Sequence, residues 1–381
     1  MRGGTGVFTG RLPFVWIGNH VANPDFFFYN YTEPDFQFPQ VWRSNIGIDK
    51  NLPGGWTISS DLIYTKDFNA MMVRNFGVSL PSGTLNGVDN RQIYLATDRA
   101  TVFGGPTNAY VFTNTDKGRS INWTIQAQRN WSNGLYTSLA YNYLDSKDAS
   151  SIEAEISSDA YDRNPALGHV NRPQISPSLY GNQHRVVGTI NKKFTYSGGK
   201  MATTISFFFE YAKGGRFSYT YSGDVNNDGS GNNDLIYIPT DSEIDQMTFD
   251  ESAATAASQR TAMKSYFAQD DYLSGRRGQY AEKYAILSPW FSRWDMRILQ
   301  DLYLGENGNT LQFSIDLLNA GNFISSSWGV RQIPVNTQPI GVSVNNGDPT
   351  YSFDASLTST FTDDFSLLSR WQMQFGLRYI F

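Results

Sequence analysis

Ser369-Arg370-Trp371-Gln372-Met373-Gln374-Phe375-Gly376-Leu377-Arg378-Tyr379-Ile380-Phe381, the last thirteen residues of the chain, decide the fold class. Trp371, Met373, Phe375, Leu377, Tyr379 and Phe381 alternate with Arg370, Gln372, Gln374, Gly376 and Arg378. Side chains of a strand project to opposite faces with a period of two. An extended segment of this pattern therefore needs an oily surround on one side and a wet one on the other. A soluble core would put the polar face outside, whereas a membrane barrel puts it inside. Aromatic residues stand at both ends of the apolar face, Trp371 at one and Tyr379 with Phe381 at the other. Aromatic girdles of this kind flank the apolar band of outer-membrane barrels.

Composition agrees with this reading. Aromatic residues make up 15% of the 381, there are 34 glycines and no cysteines, and the mean hydropathy is −0.40. No run approaches the roughly 18 apolar residues of a membrane-spanning helix, so a membrane protein of this composition has to be a barrel. The lack of cysteine removes disulfides, thiolate metal sites and cysteine nucleophiles. A net charge of −5 is too small to imply a nucleic-acid partner.

Alternation and turn chemistry predict nine strands, at roughly 41–50, 55–66, 119–131, 134–146, 183–196, 200–222, 290–304, 310–319 and 369–381. The connections alternate short and long. The short ones carry turn residues: Leu52-Pro53-Gly54-Gly55, Ser132-Asn133-Gly134, Ser197-Gly198-Gly199 and Gly305-Glu306-Asn307-Gly308. Tight turns at one end and long loops at the other are the rule for outer-membrane barrels. A soluble β-sandwich also alternates, but seldom carries four loops of this length. Nine is odd where single-chain bacterial barrels are normally even, and Gly6 to Ile17 offers a tenth strand. Met1-Arg2-Gly3-Gly4-Thr5-Gly6 lacks the basic, apolar and small-residue pattern of an export signal. The expectation is therefore either numbering after cleavage or, favoured because the opening reads as mid-protein sequence, a fragment.

A terminal Phe on such a strand resembles the C-terminal signature of bacterial outer-membrane proteins, and further stretches resemble the TonB-dependent outer-membrane receptors. Within them the chain is similar to the Oar-like branch, which carries a carboxypeptidase-regulatory-like N-terminal domain. The matching stretches are Arg2 to Trp16, Arg172 to Tyr180 leading to His184-Arg185-Val186, and Asp224 to Pro239. Tyr272 to Ser274 with Arg277-Gly278, and Pro289-Trp290 with Arg293-Trp294-Asp295, add to these. Phe313 to Asn319 with Asn322 resembles a motif near the C-terminal end of many receptors of the wider family. The resemblance implies an antiparallel transmembrane β-barrel of about 22 strands, closed by an N-terminal plug. It also implies active uptake driven through contact with the TonB complex of the inner membrane. By this resemblance residues 1–381 are the C-terminal part of the barrel, and the plug and signal peptide lie outside them.

The sharpest local motif is Asp224-Val225-Asn226-Asn227-Asp228-Gly229, followed by Asp234. Oxygen side chains at positions 1, 3 and 5 with glycine at 6 are what a calcium loop uses, because a hard cation takes carboxylate and amide oxygens and the chain must turn sharply. Position 12 is Leu235 where an EF-hand has glutamate, which leaves Asp234 as the nearby replacement. The competing reading is a polar hairpin tip in an external loop. The same loop, 223–289, holds eleven acidic and five basic residues, and a short amphipathic helix is expected around Ala253 to Phe267. It reads either as solvated surface or as a gate over a ligand. Phe26, Phe27, Phe28, Tyr29 and Tyr31 are read either as rim packing or as a stacking surface for sugars or peptides. His20, His169 and His184 are the only histidines, and Asp162 near His169 is the one pairing that invites a test for rim hydrolysis. There is no Gly-x-Ser-x-Gly, no His-Glu-x-x-His and no phosphate loop, so a non-enzyme is expected.

The function these features point to is outer-membrane transport of an unidentified nutrient (an oligosaccharide, peptide or metal chelate) by a TonB-dependent route. A self-contained small pore or surface adhesin is the alternative. The partners expected are outer-membrane lipid, the TonB complex through the plug region, a small ligand and a capping surface lipoprotein. Strand 200–222 exceeds the 9 to 11 or so residues needed to cross, so its end is expected to project as a platform for a partner.

Overall fold

The computed structural model describes residues 1–12, 18, 29–102, 105–152, 156–305 and 308–381. Its largest sheet is a meander of ten long antiparallel strands: β1 (Arg2–Thr9), β2 (Gln40–Leu52), β3 (Trp56–Asp67), β4 (Gly118–Asn130), β5 (Leu135–Asp148), β6 (His184–Tyr196), β7 (Met201–Lys213), β8 (Trp290–Leu304), β9 (Asn309–Leu318) and β10 (Gln372–Ile380). Each pairs with the next, and the short segment Ser176–Pro177 pairs with the end of β5. The expected all-β, antiparallel class with short turns at one end and long loops at the other is the one found. Among the described residues β1 pairs only with β2 and β10 only with β9, so the sheet has two open edges.

Two strand expectations are corrected. The tenth strand is Arg2–Thr9 rather than Gly6 to Ile17, of which residues 13–17 lie outside the described residues. A Cβ on Gly3 would stand 2.8 Å from the Asn45 carbonyl oxygen, so glycine is what lets β1 approach β2. That approach leaves no alternating side-chain pattern to read. The segment 200–222 is not one projecting strand. β7 ends at Lys213, because a Cβ at Gly214 would fall 2.6 Å from Ser288 Cβ and 2.8 Å from the Pro289 carbonyl. Beyond it Phe217, Tyr219 and Tyr221 turn into a buried core.

The long sheet is inside out relative to a soluble protein. Along β4, Ile121, Trp123 and Ile125 are 37, 40 and 37% exposed, while the alternating Asn122, Thr124 and Gln126 are less so. Register carries this face across the strands: Ile46 opposes Leu62, Leu62 opposes Trp123, Leu139 opposes Gly188, and Gly188 opposes Phe209. The opposite face is polar and internally bonded. There Asn142 Nδ2 donates to Asn122 Oδ1 at 2.7 Å, Arg2 pairs with Asp49 and Asp61, Arg185 with Glu210 at 2.7 Å, and Arg297 with Asp316. Hydrophobic exposure on one face with ion pairs on the other is the arrangement of a sheet set in lipid around a wet interior.

Aromatic side chains mark both borders of the apolar band. At the loop end Tyr211 stacks on Trp290 with ring centroids 4.7 Å apart, and His184 stacks on Trp290 at 5.9 Å. At the turn end Trp56 meets Trp131 edge-on at 6.3 Å, and Arg129 lies 3.4 Å above the Trp131 ring. From His184 to Phe194 the strand rises about 33 Å, or about 25 Å along the membrane normal at the usual tilt. No helix among the described residues is long and apolar enough to cross a membrane, which says nothing of a barrel.

The long loops pack together. Leu85 and Ile93 from the β3–β4 loop, Tyr219 to Phe267 from the β7–β8 loop, and Ile340 to Leu357 from the β9–β10 loop contribute to one buried cluster. Tyr94, Tyr110 and Phe112 join Tyr161 and Val170 of the β5–β6 loop in a second. The helix α1 (Ala256–Gln269) appears where amphipathic spacing predicts one. Thr255 Oγ1 caps it by accepting from Ser258 N–H at 3.3 Å. Gln259, Met263, Tyr266 and Phe267 form its buried side. The acidic 223–289 loop is therefore packed structure with a charged exterior, a result that replaces the expectation of a merely solvated surface.

Candidate functional site

The segment following Tyr221 turns back on itself through its own side chains. Asp224 accepts from the Asp228 N–H through Oδ1 at 3.0 Å and from the Gly229 N–H through Oδ2 at 2.8 Å. Asn226 Oδ1 accepts from the Asp228 N–H at 2.8 Å, and Asp228 Oδ1 accepts from the Ser230 N–H at 2.8 Å. These are the local bonds by which Asp and Asn favour turns. Gly229 sits at φ 92°, and a Cβ there would meet Asn108 Oδ1 at 2.6 Å, which accounts for glycine at the sixth position.

Neighbouring loops hold this turn from outside. Asp228 Oδ2 accepts from the Tyr161 hydroxyl at 3.0 Å and from Asn233 Nδ2 at 2.9 Å. The Asp228 carbonyl accepts from Asn75 Nδ2 at 3.2 Å, and Asn227 Nδ2 donates to the Tyr94 carbonyl at 2.8 Å. Burial, and then the charge of Asp228, push Asp224 up to about 7. Asp228 is raised as well, by burial.

Asp234 also has partners beyond its three companions in the motif. Its Oδ1 pairs with Arg91 at 3.0 Å, and its Oδ2 accepts from the Val225 and Asn226 N–H groups at 3.1 and 3.3 Å. Arg91 is 2% exposed at its side chain and also pairs with Asp89 at 2.9 Å. It lies 5.0 Å from the Tyr221 ring centroid and 5.4 Å from that of Tyr280. Both tyrosine hydroxyls donate to Asp89, each at 2.9 Å. Burial opposes the guanidinium charge, but Asp89 and Asp234 outweigh it and hold Arg91 above its ordinary range. Sequence reasoning missed Arg91, Asp89, Tyr161 and Asn75, because nothing near them in the chain announces a partner more than sixty residues away.

Lys283 is a second buried cation. Its Nζ donates to the Ala149 carbonyl at 2.8 Å and to Asn164 Oδ1 at 2.5 Å, tying the β7–β8 loop to the β5–β6 loop. Burial pushes it down to about 8. A lysine depressed in the folded state holds fewer protons there than when unfolded, so stability rises as pH climbs from about 8 toward the unfolded value. The loop structure is expected to gain about 1.5 kcal/mol between pH 8 and pH 9.5. Urea midpoints at the two pH values measure this, and Lys283→Met is expected to abolish the rise.

The rim residues raised by sequence are placed apart. His169 Nδ1 lies 2.9 Å from the Tyr94 hydroxyl, whereas Asp162 accepts from Ser230 Oγ and Asn232 Nδ2, each at 2.5 Å. His184 Nδ1 lies 2.8 Å from the Tyr141 hydroxyl. Tyr29 and Tyr31 stack at 6.1 Å on a strand beside Ala109–Thr115. His20, Phe26, Phe27 and Phe28 lie outside the described residues. A polar cavity of about 470 Å³ opens among Asp162, Arg163, Arg216, Asn232, Tyr284 and Gln338, and so is shared by three loops.

No protein-family model matches the chain, and no curated protein matches it in sequence. Among solved structures it is similar to the outer-membrane transporter YddB from Escherichia coli. That match has 11% identity and a TM-score of 0.41, and covers 92% of this chain and 34% of the transporter. It is also similar to the FrpB iron transporter from Neisseria meningitidis, at 10% identity and a TM-score of 0.34, over 85% of this chain and 31% of that one. The chain thus spans about a third of the length of these transporters. At such scores the likeness carries no argument about activity.

Proposed function

We propose that this chain is the C-terminal part of an outer-membrane transporter barrel and serves TonB-dependent uptake of a small nutrient. The observation that carries the membrane reading is the inverted sheet, with Ile121, Trp123 and Ile125 outward and Asn122, Thr124 and Gln126 inward. An apolar hollow lined by Trp56, Leu139, Ile190, Phe207, Phe209 and Trp294 lies on the outward face and suits acyl chains. Among the described residues β1 and β10 are each paired on one side, which supports a larger barrel, because unpaired backbone groups in hydrocarbon are costly. The TonB dependence rests on the sequence resemblance. The polar cavity among the loops supports a small, hydrogen-bonding ligand.

Immunoblotting of native outer membranes with antibody against 223–289 tests the reading. A heat-modifiable band well above 42.8 kDa, together with nutrient uptake that stops when TonB is deleted, is expected. A heat-modifiable band at 42.8 kDa with TonB-independent permeation would instead support a self-contained pore.

A further inference from the structure

We infer that the Asp224–Asn233 turn binds one calcium ion, which fastens three external loops to one another. Asp228 is fully buried and Asp224 partly so, and neither takes part in an ion pair among the described residues. Arg99 acts on Asp224 through its charge but makes no ion pair with it, its guanidinium donating to Asn227 Oδ1 at 3.1 Å and Asn108 Oδ1 at 3.3 Å. Two adjacent carboxylates held out of water, met by hydrogen bonds but by no ion pair, favour a shared proton or a cation.

The second, independent observation is Asn233. Its side chain is held against the cluster by the bond from Nδ2 to Asp228, the residue is 1% exposed, and its Oδ1 accepts no hydrogen bond. A buried amide oxygen without a donor has a role still open, and a hard cation takes such oxygens. Asp224, Asn226, Asp228 and Asn233 are the side chains that fit the ion. No three His, Cys, Asp or Glu side chains among the described residues converge on a metal position, and a set of two carboxylates and two amides does not require them to. Asp234 closes the turn through Arg91 instead of contributing an oxygen.

The ion would act through Tyr161, Asn75 and Asn233, which already bond to Asp228 from the β5–β6, β3–β4 and β7–β8 loops. Terbium binding to the intact protein, extracted from outer membranes in detergent, tests this at pH 7.5. The Tyr161 hydroxyl donates to Asp228, so its ring is well placed to sensitise a lanthanide held there. Expected are emission saturating at one ion per chain, displacement by calcium but not by equimolar magnesium, and at least tenfold weaker binding in Asp224→Asn and Asp228→Asn. Chelator is expected to speed proteolysis within 224–234 at least tenfold in the native chain and to leave Asp228→Asn unchanged. Should either carboxylate variant fail to fold, Asn226→Ala, which removes an oxygen but no charge, serves in its stead. A folded, protease-resistant native chain without displaceable emission and without chelator sensitivity would overturn the inference and leave a proton-shared pair. Binding of the same strength in all three variants would overturn it equally.

Discussion

Arg91→Met is expected to unfold the packed external loops, at a cost of about 3 to 5 kcal/mol. The side chain neutralises Asp89 and Asp234, donates to the Leu235 carbonyl at 2.5 Å and lies against Tyr221 and Tyr280. Methionine replaces the packing but leaves two carboxylates buried with no cation. Asp89 belongs to the β3–β4 loop while Asp234, Tyr221 and Tyr280 belong to the β7–β8 loop, so the loss separates elements nearly two hundred residues apart. Limited proteolysis should cut the variant within 223–289 at denaturant concentrations where the native loops resist. Heat-modifiability of the sheet should be kept, because the strands do not depend on this network. Replacing Asp89 and Asp234 with asparagine in the Arg91→Met background should recover part of the loss, as it removes the unpaired charges.

Leu139→Arg is the second large effect. Leu139 is 55% exposed, lies between the Trp131 turn and Tyr143, and opposes Gly188. On the lipid face an arginine near the bilayer midplane costs about 2 to 4 kcal/mol. Ser138→Arg, one residue away on the polar face, is expected to cost less than about 1 kcal/mol, because its guanidinium meets water. Urea unfolding of the intact protein in bilayers measures both, and equal effects would mean that the two faces have the same surroundings.

The strands were legible because their signal is local. Period-two alternation in Ile121 to Gln128 or Met201 to Tyr211, bounded by Asn133-Gly134 or Ser197-Gly198-Gly199, needs no knowledge of partners. β1 was not, since Gly3, Gly4 and Gly6 present no face to read, and Gly3 serves close approach to β2. The Asp224–Gly229 turn was legible from spacing, yet the ion pair between Asp234 and Arg91 was not. Arg91 stands 143 positions before Asp234, and only the packed loops bring them together. Loop packing likewise hid the fate of Phe217, Tyr219 and Tyr221, whose apolar run continues a strand pattern past the glycines that end it.

The central claim, that the aromatic face of the sheet lies in lipid and the polar face in water, is tested most directly by a spin-label scan of β5. The chain has no cysteine, so single cysteines introduced from Leu135 to Asn142 are the only sites labelled within it when the intact protein is reconstituted in bilayers. Labels at Leu135, Thr137, Leu139 and Tyr141 are predicted to be open to oxygen dissolved in the lipid and shielded from a water-soluble nickel chelate. Those at Tyr136, Ser138, Ala140 and Asn142 are predicted to show the reverse. Accessibility without a period of two, or with nickel reaching the Leu139 series, would contradict the account.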